Sequence, residues 1–138
     1  MLKLIVGVKG TGKTKTLINL VEEALKVSNG SVVCVEKGDK LIHAISYQAR
    51  LIDTDEFKIN NADALYGFIA EIYASNHDIT DIFIDSALKI CENDVDNFTS
   101  FATKISALVD SLDINVTITA SMSEENITED LKKFMISH

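Results

Sequence analysis

The chain has 138 residues, of which 46% are hydrophobic and 25% are charged, and its formal net charge is −8 at pH 7. This composition indicates one globular domain over residues 1–138, and no apolar run approaches the ~18 residues that a membrane span requires. The acidic balance argues against a nucleic-acid partner, because such proteins neutralise phosphates with basic surfaces, whereas these 13 basic residues are scattered.

The ends and the cysteines point to an ordinary intracellular protein. The opening MLKLIV meets Gly7 too early to be a signal peptide, so the expected compartment is the cytoplasm. Cys34 and Cys91 are too few for a disulfide framework and lack metal-ligand spacing, so we expect free thiols.

The first half of the chain predicts strand, helix and strand. Residues 2–6 (LKLIV) form an apolar run that ends at Gly7, and residues from Lys13 onward repeat apolar side chains at helical spacing. Residues 28–31 (SNGS) end that helix, and residues 32–35 (VVCV) predict a second buried strand. Residues 37–60 are the hardest to interpret; a short helix over 41–46 and a strand over 50–53 are the expectations.

The second half continues the alternation. A helical stripe begins near Leu65, with Asn61 as its predicted cap, and residues 81–85 (DIFID) predict a third core strand. A further helix covers 98–109, and residues 114–120 (INVTITA) alternate as a strand with one less-buried face would. Ser121 and Glu124 have capping-box spacing and predict a closing helix with Ile127, Leu131 and Phe134 on its inner face.

Strands alternate with helices, and no hairpin signal joins successive strands. That order favours right-handed crossovers, so the predicted fold is a three-layer α/β/α sandwich with a mainly parallel sheet. Residues 2–6, 32–35 and 82–84 are expected to be its inner strands.

Residues 7–14 (GVKGTGKT) match the phosphate-binding pattern G-x-x-x-x-G-K-[ST] between a predicted strand and a predicted helix. Glycines let backbone N–H groups approach phosphates, and the helix adds its positive end. Lys13 is suited to bridge phosphate oxygens, whereas Lys9 reads more as a solvated loop lysine. The residues expected to contact a nucleotide are Gly7, Val8, Lys9, Gly10, Thr11, Gly12, Lys13, Thr14 and Lys15.

A nucleotide site of this kind also needs Mg²⁺. Thr14 can offer its hydroxyl to the ion, and Asp85, at the end of a core strand, can supply the carboxylate. The glutamate that many ATPases carry directly after this aspartate is replaced by Ser86. Glu36, at the end of the second predicted strand, is the alternative candidate for the catalytic base, with a surface glutamate as the equally weighted alternative.

With these motifs, the chain resembles a reduced P-loop ATPase core of the RecA-like kind, and more narrowly the secretion and twitching-motility (PilT-like) ATPases. The segments that carry the resemblance are GVKGTGKT, VEKGDK, NHDITDIFID and TITASMS. The resemblance implies a RecA-like fold and binding of ATP with Mg²⁺. The sequence departs from the family where EKG replaces its E-D-P box and where its histidine box is absent, so a motor function is not carried over.

Three functions remain open at this point. The chain could be a slow ATPase that needs self-assembly or a protein partner, a nucleotide sensor or scaffold that does not hydrolyse, or a small nucleoside or metabolite kinase. Adenine is the default base, because no N-K-x-D segment follows a late strand. Thr119 and Ser121 could sense a terminal phosphate or be ordinary strand residues, and Arg50 could act across an interface or simply form a surface ion pair.

Overall fold

The computed structural model describes residues 1–138. Its strands are β1 (Leu2–Gly7), β2 (Ser31–Glu36), β3 (Arg50–Asp53), β4 (Ile79–Ile84) and β5 (Asn115–Ser121). Its helices are α1 (Lys13–Val27), α2 (Ala62–Ser75), α3 (Ala87–Ile90), α4 (Val95–Asp110) and α5 (Glu129–Lys132), with 3-10 turns at Thr54–Phe57 and Glu124–Asn126. No helix combines the length and the apolar character needed to cross a membrane.

The strands form one parallel sheet in the order β1-β5-β4-β2-β3. Strand β5 lies between β1 and β4, with Val6 beside Ala120 and Ile84 beside Ile118. Because all five strands run the same way, their carboxyl ends meet at one edge of the sheet. The segments that follow β1, β4 and β2 are therefore neighbours, although they are far apart in sequence.

Helices cover both faces of the sheet, because successive side chains of each strand point to opposite faces and both sets are buried. In β2, Val33 and Val35 belong to a core of 29 buried residues, whereas Val32 and Cys34 belong to a second core of 9 on the opposite face. Helix α1 covers the smaller core, and α2, α3 and α4 cover the larger one. The predicted three-layer α/β/α fold with a parallel sheet is confirmed.

The prediction that β5 has one less-buried face is wrong. Thr117 and Thr119 are only 4% and 1% exposed, although they alternate with apolar residues. Neighbouring strands flank β5 on both sides, and α1 packs over the face that carries the threonines. A polar residue in a strand therefore marked a buried hydrogen-bonding position here rather than contact with water.

The predicted closing helix is reduced to the single turn of α5. After that turn, the chain runs beside β1: the Leu4 amide donates to the Phe134 carbonyl at 2.8 Å, and the Ile136 amide donates to the Leu4 carbonyl at 2.9 Å. The free edge of β1 thus forms hydrogen bonds with backbone groups that would have bonded within a longer helix. The residue that caps the preceding 3-10 turn is Ser123 rather than Ser121.

Several smaller expectations have mixed outcomes. The strand over 50–53 and the Asn61 cap of α2 are present, but residues 41–45 form one helical turn instead of a helix. The strands β2 and β4 are interior, whereas β1 ends the five-stranded order and has only the Leu4–Met135 bridge on its outer side. Cys34 and Cys91 are free and buried, as expected.

Candidate functional site

The loop between β1 and α1 takes its shape from two glycines with left-handed backbone. Gly10 and Gly12 have φ angles of 86° and 85°, a region that disfavours any residue with a Cβ. Gly12 is the N-terminal cap of α1, and its carbonyl accepts the first helical hydrogen bond from Thr16 at 3.1 Å. The loop therefore delivers the amino end of α1, with its unpaired N–H groups, to the carboxyl edge of the sheet.

Gly7 has a different reason to be glycine. A Cβ at this position would lie 2.7 Å from Thr11 Oγ1 and 2.9 Å from His138 Nε2. The Thr11 hydroxyl donates to the Val8 carbonyl at 2.8 Å and also lies 3.1 Å from His138 Nε2. Gly7 thus permits a close packing of the loop against the last residue of the chain, and the sequence pattern gave no sign of that contact.

Lys13 is a largely buried cation. Its side chain is 7% exposed, and Nζ donates to the Val8 carbonyl at 2.9 Å, back across the loop. Burial lowers the pKa of Lys13, and the nearby Asp85 carboxylate opposes that effect. A concentrated positive charge is therefore held at the floor of the loop.

Asp85 follows β4 and joins a chain of oxygen atoms. Its Oδ1 accepts from Thr14 Oγ1 at 3.4 Å and from Thr119 Oγ1 at 2.7 Å, and Thr119 in turn accepts the Ser86 amide at 2.8 Å. Asp85 is 6% exposed, so these contacts replace most of its hydration. Thr14 lies in α1, Asp85 directly follows β4 and Thr119 lies in β5, and only the strand order brings them together.

Glu36 lies at the end of β2, beside the strand that leads to Asp85. It is 2% exposed, and its two oxygens accept the backbone amides of Lys40 at 3.1 Å and Leu41 at 3.0 Å. Burial raises the pKa of Glu36; these two amides oppose the shift, and the charges of Asp85 and Asp53 add to it. Its role as a base stays a prediction, but in this structure the carboxylate holds the turn that follows β2.

A cleft of about 280 Å³ opens between the loop and the ends of β4 and β5. No apolar side chain lines it, and its lining comprises Lys9, Gly10, Gly12, Lys13, Thr14, Lys15, Lys40, Asp85, Ser86, Lys89, Thr119 and Ser121. Five of these residues are lysines and one is a carboxylate. Such a surface suits a small polyanion rather than an apolar ligand.

Most of the residues predicted from the sequence lie at this cleft, and some do not. Gly7, Val8 and Thr11 shape the loop without lining the cleft, and Glu36 lies outside its lining. Arg50 lines a separate hollow of about 230 Å³ beside β3. Sequence reasoning missed Lys40 and Lys89, because a lone lysine after a strand or within a short helix carries no pattern of its own.

The parallel sheet, its helices on both faces and the glycine loop at its carboxyl edge define an α/β protein of RecA-like fold. Among solved structures, the chain is similar to the flagellar accessory protein FlaH from Methanocaldococcus jannaschii, with a TM-score of 0.56 and 18% sequence identity. The match covers 96% of this chain but 65% of that one, so the chain spans about two-thirds of its neighbour's length. No protein-family profile matches the sequence, and neither does any protein of curated function.

Proposed function

We propose that residues 1–138 act as a single nucleotide-binding domain that binds ATP with Mg²⁺ at the loop formed by residues 7–14. The observation that carries this proposal is the meeting of Lys13, Thr14 and Asp85 around one cleft without apolar lining. Lys13 and Thr14 belong to the loop motif, Asp85 follows β4 far along the chain, and each has the chemistry that a bound triphosphate with its metal requires.

The phosphates are recognised by backbone and cation together. The left-handed Gly10 and Gly12 leave the loop amides open to an anion, because no atom lies within 4 Å of where their Cβ atoms would be. Lys13 supplies the charge at the floor of the cleft. Adenine is the proposed base because the sequence lacks the segment that selects guanine.

The residues at the metal position fit a hard cation. Thr14 and Asp85 present oxygen atoms to each other at 3.4 Å, and oxygen is the donor that Mg²⁺ prefers. The structure contains no group of three His, Cys, Asp or Glu side chains that could hold a metal alone, so phosphate oxygens would complete the coordination. When bound, the ion would neutralise charge on the phosphates.

Hydrolysis is proposed to be slow in the isolated chain, with assembly or a protein partner needed for faster turnover. Ser86 follows Asp85 where a glutamate would serve as base, and both oxygens of Glu36 already accept backbone amides. A missing or misplaced base costs about 10²–10⁴-fold in rate. The same observation favours the second candidate function, a nucleotide sensor that binds ATP without hydrolysing it.

Calorimetry with ATP and Mg²⁺ tests the binding proposal. Lys13→Ala removes the buried cation and is expected to weaken binding by more than about tenfold, since a hydrogen bond to a charged group contributes roughly 1.5–3 kcal/mol. Lys9→Ala is the matched control, because Lys9 lines the same cleft but is exposed. Equal losses in the two variants, or none in Lys13→Ala, would contradict the proposal.

A further inference from the structure

Two lysines at the cleft do not belong to the phosphate-binding loop. Lys40 follows β2, and Lys89 lies in α3, yet both line the same cleft as Lys13. Neither has a carboxylate within 4.0 Å, whereas Lys37, Lys104 and Lys132 are each paired. Both lysines are exposed residues at the lining of this polar cleft, so each is free to meet an anion that enters it.

The backbone of Lys40 is fixed more firmly than that of an ordinary loop lysine. Glu36 accepts its amide at 3.1 Å and that of Leu41 at 3.0 Å. Leu41 is 2% exposed within the smaller core, and its carbonyl accepts the amides of Ala44 and Ile45 at 3.0 and 3.1 Å. The turn is thus held by a buried carboxylate on one side and by a buried leucine on the other.

The strand order places Lys40 at the far end of a phosphate chain. The loop follows β1, Asp85 follows β4, and the turn that carries Lys40 follows β2, the next strand in the sheet. A ligand that enters at the loop and reaches the Asp85 position therefore points its terminal group toward Lys40. The flexible side chain of a lysine can meet that group as a point charge.

We propose that Lys40 contacts the terminal phosphate of a bound triphosphate and that Glu36 is the positioning residue that holds Lys40 at the cleft. The inference rests on the proposed function, because it takes the ligand to be a nucleoside triphosphate. In this arrangement Lys40 is a second cation of the same chain at the site, and it makes the cleft selective for a triphosphate over a diphosphate.

Binding of ATP and ADP to the matched variants tests this role. Lys40→Ala is expected to weaken ATP binding by about tenfold and ADP binding by less than about twofold, since only ATP carries the terminal phosphate. Lys40→Arg should restore most of the selectivity. Lys37→Ala is the control, because Lys37 lies three residues earlier but pairs with Asp55 at 2.7 Å outside the cleft. Unchanged ATP binding in Lys40→Ala, or equal losses for both nucleotides, would overturn the proposal.

The role of Glu36 is tested through Lys40. Glu36→Gln replaces one acceptor oxygen with a donor and is expected to lower the ATP-to-ADP selectivity as Lys40→Ala does. The double variant should have the same ATP-to-ADP selectivity as Lys40→Ala, because both substitutions remove the same contact with the terminal phosphate. If the losses of selectivity in the two single variants instead multiply in the double variant, Glu36 acts independently of Lys40. Thermal unfolding of each variant verifies that it is folded.

Inorganic tripolyphosphate and pyrophosphate separate this inference from the proposed function. If the wild-type chain binds no ATP, the proposed function fails. The role of Lys40 is still supported if the wild type binds tripolyphosphate more tightly than pyrophosphate and Lys40→Ala removes that difference. Tripolyphosphate binding that is equal in wild type and Lys40→Ala, or absent from both, overturns the role of Lys40.

Discussion

At the residue scale, the charge of Lys13 suits the proposed binding of phosphate but is expected to lower the stability of the folded chain. Lys13 is 7% exposed as a residue, and burial lowers the pKa of its ammonium, which means that the fold disfavours the charge. Its Nζ donates to the Val8 carbonyl at 2.9 Å, and that carbonyl uses its second lone pair to accept the Thr11 hydroxyl at 2.8 Å. The proposed phosphate ligand would give this charge an anionic partner within the cleft.

Lys13→Met is accordingly expected to stabilise the protein in the absence of nucleotide. At pH 7 the midpoint of thermal unfolding should rise by on the order of 3 °C, as about 1 kcal/mol would give for a domain of this size. The gain should shrink as the pH rises through the lowered pKa of Lys13 toward its ordinary value of 10.5, because the wild-type side chain then folds uncharged. Calorimetric scans across that range measure both effects, and a lower midpoint in Lys13→Met would contradict them.

Glu36 gives a second example at this scale. The sequence predicts a carboxylate near the site, and the structure places one there, but its two oxygens bond the amides of Lys40 and Leu41. A side chain that is 2% exposed and accepts one amide at each oxygen anchors this turn, and its role as a base stays a prediction. Its chemistry followed from residue type and position, whereas its partners depended on how the next turn folded.

At the scale of elements, two glycines that look alike in sequence have opposite roles. Gly67 lies in the interior of α2, exposed, with no atom within 4 Å of where its Cβ would be. Gly30 lies in the turn before β2, where a Cβ would be 1.9 Å from the Asp78 carbonyl oxygen. That oxygen also accepts the Ser31 amide at 2.8 Å, so the two backbones cannot simply separate.

The same substitution should therefore change stability in opposite directions. Gly67→Ala is expected to raise the free energy of unfolding by roughly 0.5–1 kcal/mol, because alanine restricts the unfolded chain and suits a helix. Gly30→Ala should lower it by more than about 2 kcal/mol, because residue 30 must move away from Asp78, which breaks the bond from the Ser31 amide to the Asp78 carbonyl. Urea titration of both variants measures these changes, and a neutral Gly30→Ala would show that the turn is less constrained than its contacts indicate.

At the scale of the whole molecule, the cleft and the only arginine lie apart. Arg50 is on β3, the last strand of the sheet, and lines a hollow that shares no residue with the lysine-lined cleft. Because Arg50 is not part of the cleft lining, we propose that any role in stabilising a transition state is played in the site of another copy of the chain. Lys40 is the proposed cation that the same chain supplies to a terminal phosphate.

Turnover should then depend on assembly. Phosphate release per chain is expected to rise with protein concentration, and Arg50→Ala should lower the rate at high concentration by at least about tenfold, since such arginines contribute about 10³–10⁵ elsewhere. Sedimentation at the same concentrations reports whether copies associate. Rapid hydrolysis independent of concentration would refute the need for assembly, and ATP binding without any turnover would favour the sensor.

The sequence alone determined the features that depend on neighbouring residues. The loop of residues 7–14 needs glycines with left-handed backbone followed by a helix, and both properties are local, so Gly10, Gly12 and the start of α1 could be predicted. Continuous apolar runs likewise predicted β1, β2 and β4, because burial on both faces leaves such a run, whereas β5 was predicted from alternation and β3 only as a short candidate.

Only the tertiary structure decided which distant residues meet. Thr14 contacts Asp85 across 71 positions and Thr119 contacts it across 34, and neither contact follows from periodicity. Strand order placed β5 between β1 and β4, which buried Thr119 where alternation predicted a less-buried face. The same order brought Lys40 to the cleft and left Arg50 outside it. Local pattern fixes an element and its faces, but packing between elements fixes the neighbours of each side chain.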